Sequence, residues 1–232
     1  MEISMEHEPH LHSSEVIKDI VIGMSDGLTV PFALAAGLSG AVDSTHVIII
    51  AGIAEIAAGS IAMGLGGYLA GKTEIDHYNN ELKREYYEVE NLRHREIQET
   101  KEFFAGLGLS EELQEQATEE IAKDKDQWVK FMMKFELGLE RPDEKRARKS
   151  AFNIGASYIV GGLVPLSPYF FVHNSITGLH YSIVITLICL FFFGYFKAKM
   201  TGVPAFGGAV QVMLIGALAA AAAFGIARLI EH

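Results

Sequence analysis

The sequence has few of the residues that mark disulfide-bonded, zinc-binding or nucleic-acid-binding proteins. It holds one cysteine, Cys189, which excludes a disulfide framework and a cysteine-rich zinc site. Its 19 basic residues are outnumbered by 29 acidic ones, for a net charge of −10. This balance argues against nucleic acid as a partner, because binding it requires a basic surface.

Charge is missing from two long stretches of the chain. Residues 150–196 and 200–227 contain no Asp, Glu, Lys or Arg. A soluble domain rarely carries charge-free apolar runs longer than the ~18 residues that mark a membrane-spanning helix. The sequence therefore predicts an integral membrane protein with the lipid bilayer as its surroundings.

Five apolar segments are long enough to cross a bilayer, at 20–42, 47–70, 151–171, 176–196 and 205–230. None alternates polar and apolar residues as a membrane strand would, and backbone groups in lipid must pair internally. We therefore expect an all-α bundle of five transmembrane helices. The predicted organisation is an N-terminal tail (1–19), helices one and two (20–71), a charged insert (72–146) and helices three to five (147–232).

The placement of basic residues predicts the orientation of the bundle. Of the 19 basic residues, 18 lie in the tail, between the second and third segments or between the fourth and fifth segments, and only Arg228 lies on the other side. The positive-inside rule then places the N-terminus and the insert in the cytosol, and an odd number of spans places the C-terminus across the membrane. Glycines crowd the first, second and fifth segments, which allows close helix packing within one bundle or in a homodimer.

Three acids lie in or between the first two segments, with no basic residue in those segments to neutralise them: Asp26, Asp43 and Glu55. Because a central Asp costs about 2.5–3.5 kcal/mol on insertion scales, such acids indicate a functional site. Met63 would lie at a depth similar to that of Asp26 on the neighbouring helix. We interpret Asp26, Met63, Glu55 and Asp43 as a cation path. Taken alone, Met63 is also explained by packing, and Asp43 is better explained as a loop cap.

The insert is dense in charge, with 20 acidic and 13 basic residues between 72 and 146. We expect the second helix to continue unbroken over 72–104, which contains no proline. Projected on one helix, six glutamates fall within an arc of about 80°: Glu74, Glu81, Glu85, Glu88, Glu96 and Glu99. The pairs Glu85 with Glu88 and Glu96 with Glu99 could each share a divalent cation. A merely solvated face is the alternative explanation.

The second half of the insert should form two shorter helices. Gly106 and Gly108 end the first helix, and helices are expected from Ser110 to about Ala122 and from Asp124 to Leu139. The last of these carries the adjacent Met132 and Met133, each about one turn from Glu136. Methionine at this spacing is usually core filler, but thioether sulfur beside carboxylates also suits Fe²⁺ and other transition metals.

Residues 26–38 read DGLTVPFALAAGL, and the second segment carries Glu55, Gly59, Ser60, Met63 and Gly64. Together with the glutamate-rich insert, these residues resemble the vacuolar iron transporter family, and the resemblance covers essentially the whole of 20–228. The resemblance implies a dimeric transporter that moves cytosolic Fe²⁺, often also Mn²⁺, into the vacuole in exchange for protons, along a path between protomers. By position it assigns Asp26, Glu55 and Met63 to the membrane path. It assigns to a cytosolic metal-gathering domain Glu85, Glu88, Glu96, Glu99, Met132, Met133 and Glu136.

These expectations favour a proton-coupled Fe²⁺ transporter of the vacuolar membrane, whose insert could also bind Mn²⁺, Zn²⁺, Co²⁺ and Ni²⁺. The alternative is a membrane-anchored metal buffer or sensor that binds ions without moving them. That alternative explains the insert but not the acids within the spans. A di-metal membrane enzyme would need Glu-x-x-His pairs on bundle helices. His94 with Glu96 and Glu99 does not supply that spacing, so we do not expect an enzyme.

Overall fold

The described part of the chain is all-helical, as the sequence predicts. The structure is a computed structural model that describes residues 15–231, so positions 1–14 of the predicted tail lie outside the described residues. Within the described range there is no strand, and the backbones of Ser44 and Asn174 form an isolated antiparallel bridge.

The helices follow one another along the chain with short connections. They are α1 (Glu15–Ala41), α2 (Thr45–Asn91), α3 (Arg93–Gly106), α4 (Glu111–Ile121), α5 (Lys125–Phe135), α6 (Arg146–Leu166), a 3₁₀ turn (Ser167–Phe170), α7 (Ser175–Met200) and α8 (Ala205–Glu231). The chain divides into two compact units. One unit comprises Leu69–Arg146, and the other comprises the described residues on either side of it.

Four helices of the described chain are long and apolar enough to cross a membrane: α1, α2, α7 and α8. The predicted third segment, 151–171, is not one continuous α-helix. Helix α6 ends at Leu166 and a 3₁₀ turn follows. Pro165 and Pro168 explain this end, because proline fixes its backbone and has no N–H to continue the helical ladder.

Helix α1 contacts α6 closely within the first unit. A Cβ atom on Gly23 would lie 2.2 Å from the carbonyl oxygen of Ile154, and one on Gly27 would lie 2.4 Å from that of Tyr158. Only glycine permits this approach, which brings the two backbones together over a full turn. On another side of α1, Phe32 and Ala36 pack with Leu179 of α7 and Ala220 of α8.

The second unit is organised around Trp128 of α5, which is completely buried. It forms a core with Val89, Val129, Met132 and Met133, and its indole N–H donates to Thr100 Oγ1 at 2.9 Å. Apolar residues from several helices of this unit thereby share one small core, which no single helix could bury alone.

The expectation of one helix over 72–104 was wrong, because α2 ends at Asn91 and α3 begins at Arg93. Leu92, at the break, has φ −120° and ψ 32°. Neither glycine nor proline marks this position, so the break follows from packing. It allows Val89 and Ile97, on opposite sides of the break, to reach the same core.

The later helices of the insert lie close to their predicted bounds. Helix α3 ends at Gly106, Gly108 adopts φ +83°, and Ser110 precedes α4 in an extended conformation. The side chain of Asp124 caps α5 by accepting hydrogen bonds from the backbone N–H groups of Asp126 and Gln127. Helix α5 is shorter than expected and ends at Phe135, so Glu136 lies just beyond it.

Candidate functional site

Three carboxylates of the insert come together: Glu85 on α2, Glu96 on α3 and Glu136 after α5. Each offers one oxygen, and these three atoms lie within 4.8 Å of one another. Glu85 is 3% exposed and Glu96 1%, whereas Glu136 lies at the exposed edge. The cluster is therefore a partly enclosed set of carboxyl oxygens with one side open to solvent.

The two buried carboxylates lack partners for several of their oxygens. Apart from a proton that Glu85 and Glu96 can share, Glu85 Oε1 and both oxygens of Glu96 have no hydrogen-bonding partner within the described residues. A buried carboxylate without a donor is costly unless it binds a proton or a cation. The arrangement is therefore chemically suited to a divalent cation.

Burial and mutual repulsion change the protonation of the cluster. Burial first, then the charge of Glu96 and the hydrogen bond shared with it, and then the charges of Glu136 and Glu88, raise the pKa of Glu85 to about 8. Burial is also the main reason why the pKa of Glu96 rises to about 7. Burial, followed by the charges of Glu99 and Glu88, raises the pKa of Glu136. Near neutral pH the cluster therefore holds protons that a metal ion would have to displace.

Glu88 and Glu99 lie close enough to act electrostatically on Glu136, but each is engaged by an arginine. Arg84 Nε donates to Glu88 Oε1 at 3.1 Å, and Arg95 Nε donates to Glu99 Oε1 at 2.8 Å. Both arginines are largely exposed, so these are surface ion pairs of small net energy that a stronger ligand could replace.

Met132 and Met133 are fully buried in the core around Trp128. The sulfur of Met132 accepts a hydrogen bond from Thr100 Oγ1 at 3.4 Å. The same hydroxyl lies 2.7 Å from the Glu96 carbonyl oxygen, and its single hydrogen is donated to one of these two acceptors at a time. The main chain of Glu96 and the Met132 sulfur are therefore linked through one side chain, and both methionines also contribute to packing.

The predicted membrane residues occupy the first two helices of the first unit. Asp26 on α1 and Glu55 and Met63 on α2 are partly buried, whereas Asp43 is exposed between α1 and α2. Glu55 Oε1 accepts a short hydrogen bond from the Tyr158 hydroxyl group. Within the described chain, Glu55 Oε2 is buried and has no partner. Within the apolar part of α2, Glu55 therefore has one oxygen with a hydrogen-bond donor and one without.

Sequence reasoning missed two polar residues here. Tyr158 carries a hydroxyl group within a charge-free segment. Because a buried tyrosine normally finds a hydrogen-bond partner, its position indicated a polar contact within the bundle. Asp19 was assigned to the tail, yet it lies in α1, is buried, and accepts a hydrogen bond from Ser150 Oγ at 2.9 Å. Asp19 precedes Asp26 by seven residues, so the two acids lie on one face of α1. This spacing is the feature of the sequence from which Asp19 could have been identified.

Comparison with known proteins identifies the family. The VIT family matches residues 17–228. The chain belongs to the VIT family. Vacuolar iron transporter 1 of Oryza sativa subsp. japonica is 48% identical over 230 residues, which cover 98% of this chain and 91% of the rice protein. Vacuolar iron transporter 1 of Tulipa gesneriana is 50% identical, covering 97% of this chain and 92% of the tulip protein.

The similarity of this VIT family chain extends beyond plants. Protein CCC1 of Saccharomyces cerevisiae is 41% identical over 225 residues, covering 93% of this chain and 69% of the yeast protein. The family resemblance inferred from residues 26–38 and from the second span is therefore confirmed. Members of the VIT family are transporters, so the expectation that the chain is not an enzyme is also confirmed.

Proposed function

We propose that the chain is a proton-coupled transporter of the vacuolar membrane that moves cytosolic Fe²⁺ into the vacuole lumen by H⁺ antiport. The observation that carries this proposal is Glu55, an acid within an apolar helix with one oxygen buried and unpaired in the described chain. Iron as the cargo is supported by relatives named vacuolar iron transporters that match nearly the whole chain.

The proposed membrane path comprises Asp26, Met63, Glu55 and Asp43. A carboxylate in low-dielectric surroundings is favoured when it binds a proton or a cation, because an isolated buried charge is costly. Cytosolic metal would displace protons at Asp26, and lumenal protons would displace metal at Glu55. The Met63 thioether would favour Fe²⁺ over Mg²⁺ or Ca²⁺, and Mn²⁺ would be a second cargo.

The proposed role of the insert is to gather metal. Glu85, Glu96 and Glu136 would form the central ligand set, since their oxygens already lie within 4.8 Å of one another. Glu88, Glu99, Met132 and Met133 would complete the site after local rearrangement, because the first two are held by arginines and the last two lie in the core. Such a mixed oxygen and sulfur set would also bind Mn²⁺, Zn²⁺, Co²⁺ and Ni²⁺.

In the proposed topology, α6 is the third of five transmembrane helices, the N-terminus and the insert are cytosolic, and the C-terminus is lumenal. The distribution of Lys and Arg supports this orientation. Two copies would form a homodimer with the metal path at their seam.

The test is Fe²⁺ uptake into proteoliposomes with an acidic interior. We expect uptake that depends on the pH gradient and that Asp26→Ala or Glu55→Ala abolishes. Glu102→Gln, which removes an exposed charge of α3, serves as the matched control and should retain uptake. Full activity of either path variant would overturn the role assigned to that residue.

The same preparation distinguishes the transporter from a metal buffer or sensor. A buffer would bind Fe²⁺ through the insert but would give no uptake under any gradient. For a transporter, Glu96→Gln should lower uptake mainly at low Fe²⁺ concentration, because a gathering site matters least when metal is abundant. The path variants should instead lower uptake at every concentration.

A further inference from the structure

Tyr158 of α6 is positioned against Glu55 of α2 by close packing. Its side chain is buried, with 2% exposed, and its hydroxyl group donates to Glu55 Oε1. A Cβ atom on Gly59 would lie 2.4 Å from the phenolic oxygen and 2.5 Å from the ring carbon that bears it. The absence of a side chain at position 59, one turn after Glu55, therefore makes room for the phenol.

The backbone at Tyr158 is fixed from a second direction. Gly27, next to Asp26 on α1, lies so close that a Cβ atom there would be 2.4 Å from the Tyr158 carbonyl oxygen and 2.9 Å from its Cα. Tyr158 thus lies between the helix that carries Asp26 and the helix that carries Glu55. The backbone of α6 at Tyr158 therefore cannot move towards α1, and the space beside Gly59 holds the phenol next to Glu55.

The two oxygens of Glu55 have different surroundings as a result. Oε1 accepts the phenolic hydrogen. Oε2 is buried and, among the described residues, receives no hydrogen bond. A cation arriving at Glu55 therefore finds one oxygen free and the other already engaged by a donor.

We infer that Tyr158 is a positioning residue that leaves Glu55 a single oxygen for the transported ion. The inference rests on the proposed transport function. A carboxylate that binds a divalent ion through both oxygens in a low-dielectric site holds it strongly. Transport requires binding that is favourable enough to admit the ion but weak enough to release it. The phenol limits Glu55 to one oxygen and so speeds release.

The alternative is that the phenol only satisfies a buried carboxylate and has no effect on ion release. The two explanations differ in their kinetic consequences. If Tyr158 limits coordination, removal of its hydroxyl frees Oε1 for the ion, so binding tightens and release slows. If it only stabilises the fold, fewer transporters work but each binds the ion as before.

The test is the concentration dependence of Fe²⁺ uptake by Tyr158→Phe in proteoliposomes with an acidic interior. Phe keeps the ring and removes the donor. We expect both the maximal rate and KM to fall by about fivefold. This is the change in an equilibrium constant that the gain or loss of one modest interaction produces. Tyr181→Phe, which alters an exposed tyrosine of α7, is the matched control and should behave as wild type.

Each result has a defined meaning. KM does not depend on the fraction of folded protein, so the inference stays testable even if Tyr158→Phe folds poorly. Wild-type uptake together with an unchanged or increased KM in Tyr158→Phe would overturn the inference while leaving the proposed function intact. No gradient-dependent uptake by the wild-type protein would overturn the proposed function and this inference with it.

Discussion

Glu85 and Glu96 lie eleven positions apart in the sequence, yet they contribute oxygens to one cluster whose three atoms lie within 4.8 Å of one another. On one continuous helix the two residues would be separated by about 16 Å along the axis. The two residues lie on either side of the break at Leu92, which ends α2 before α3 begins and so allows their carboxyl groups to approach. A row of glutamates along a helix thereby becomes a compact site.

Replacement of Glu96 with Gln should weaken metal binding by the insert without destabilising it. The amide keeps the shape of the side chain but removes the buried charge, so we expect Co²⁺ affinity to fall by at least about tenfold. Thermal stability at pH 7.5 without metal should stay the same or rise. Isothermal titration of the full-length protein measures the affinity, with Glu102→Gln as the control, and unchanged affinity would exclude Glu96 as a ligand.

The raised pKa values of Glu85 and Glu96 predict that metal affinity increases with pH. Below about pH 7 both groups hold protons, which a metal ion must displace. We therefore expect the apparent Kd for Co²⁺ to fall between pH 6 and 8, with proton release on binding. Titration in buffers of different ionisation enthalpy measures the released protons, and a pH-independent affinity would contradict this prediction.

The same two groups should make the metal-free insert less stable as pH rises. Their pKa values when folded, about 8 and about 7, exceed the ordinary value of 4.5. Between pH 4.5 and 8 the unfolded chain therefore binds fewer protons than the folded one, and the free energy of unfolding falls as pH rises. Trp128 is the only tryptophan in the sequence, so its fluorescence reports unfolding of this unit in the intact protein. Glu96→Gln should flatten the pH dependence.

Replacement of Met132 with Leu tests whether its sulfur is a ligand. Leu nearly conserves the volume, so the stability cost should stay below about 1.5 kcal/mol. If the sulfur binds metal, Co²⁺ affinity should fall more than Mn²⁺ affinity, because Mn²⁺ prefers oxygen ligands. Met200→Leu, an exposed methionine at the end of α7, is the control. Equal affinities before and after the change would leave Met132 as a core residue only.

Replacement of Gly27 with Ala should separate α1 from α6. The added Cβ atom would lie 2.4 Å from the Tyr158 carbonyl oxygen, and backbone cannot move aside as a flexible side chain can. We expect a stability loss of roughly 1–3 kcal/mol in detergent, measured by thermal unfolding. Gly207→Ala on α8, where no atom lies within 4 Å of the new Cβ, should have little effect. A wild-type melting temperature for both variants would show that this close approach does not hold the helices.

The sequence determined the features that depend on local composition. Long apolar segments predicted the helices α1, α2, α7 and α8, which are long and apolar enough to cross a membrane. Gly106 and Gly108 predicted the end of α3, and Asp124 predicted the start of α5. Residues 26–38 and the second span predicted the family, which the comparisons confirm. These features could be predicted because each is determined by neighbouring residues and needs no partner from elsewhere in the chain.

Only the tertiary structure decided which of the candidate residues meet. Nothing at Leu92 marks a helix end, and the break there reflects the burial of Val89 and Ile97 in the core around Trp128. That core selects Glu85, Glu96 and Glu136 from the many glutamates of the insert. The pairing of Tyr158 with Glu55 likewise depends on the space left by Gly59. Such contacts join residues that are distant in the chain, and they depend on packing geometry, which periodicity and composition do not specify.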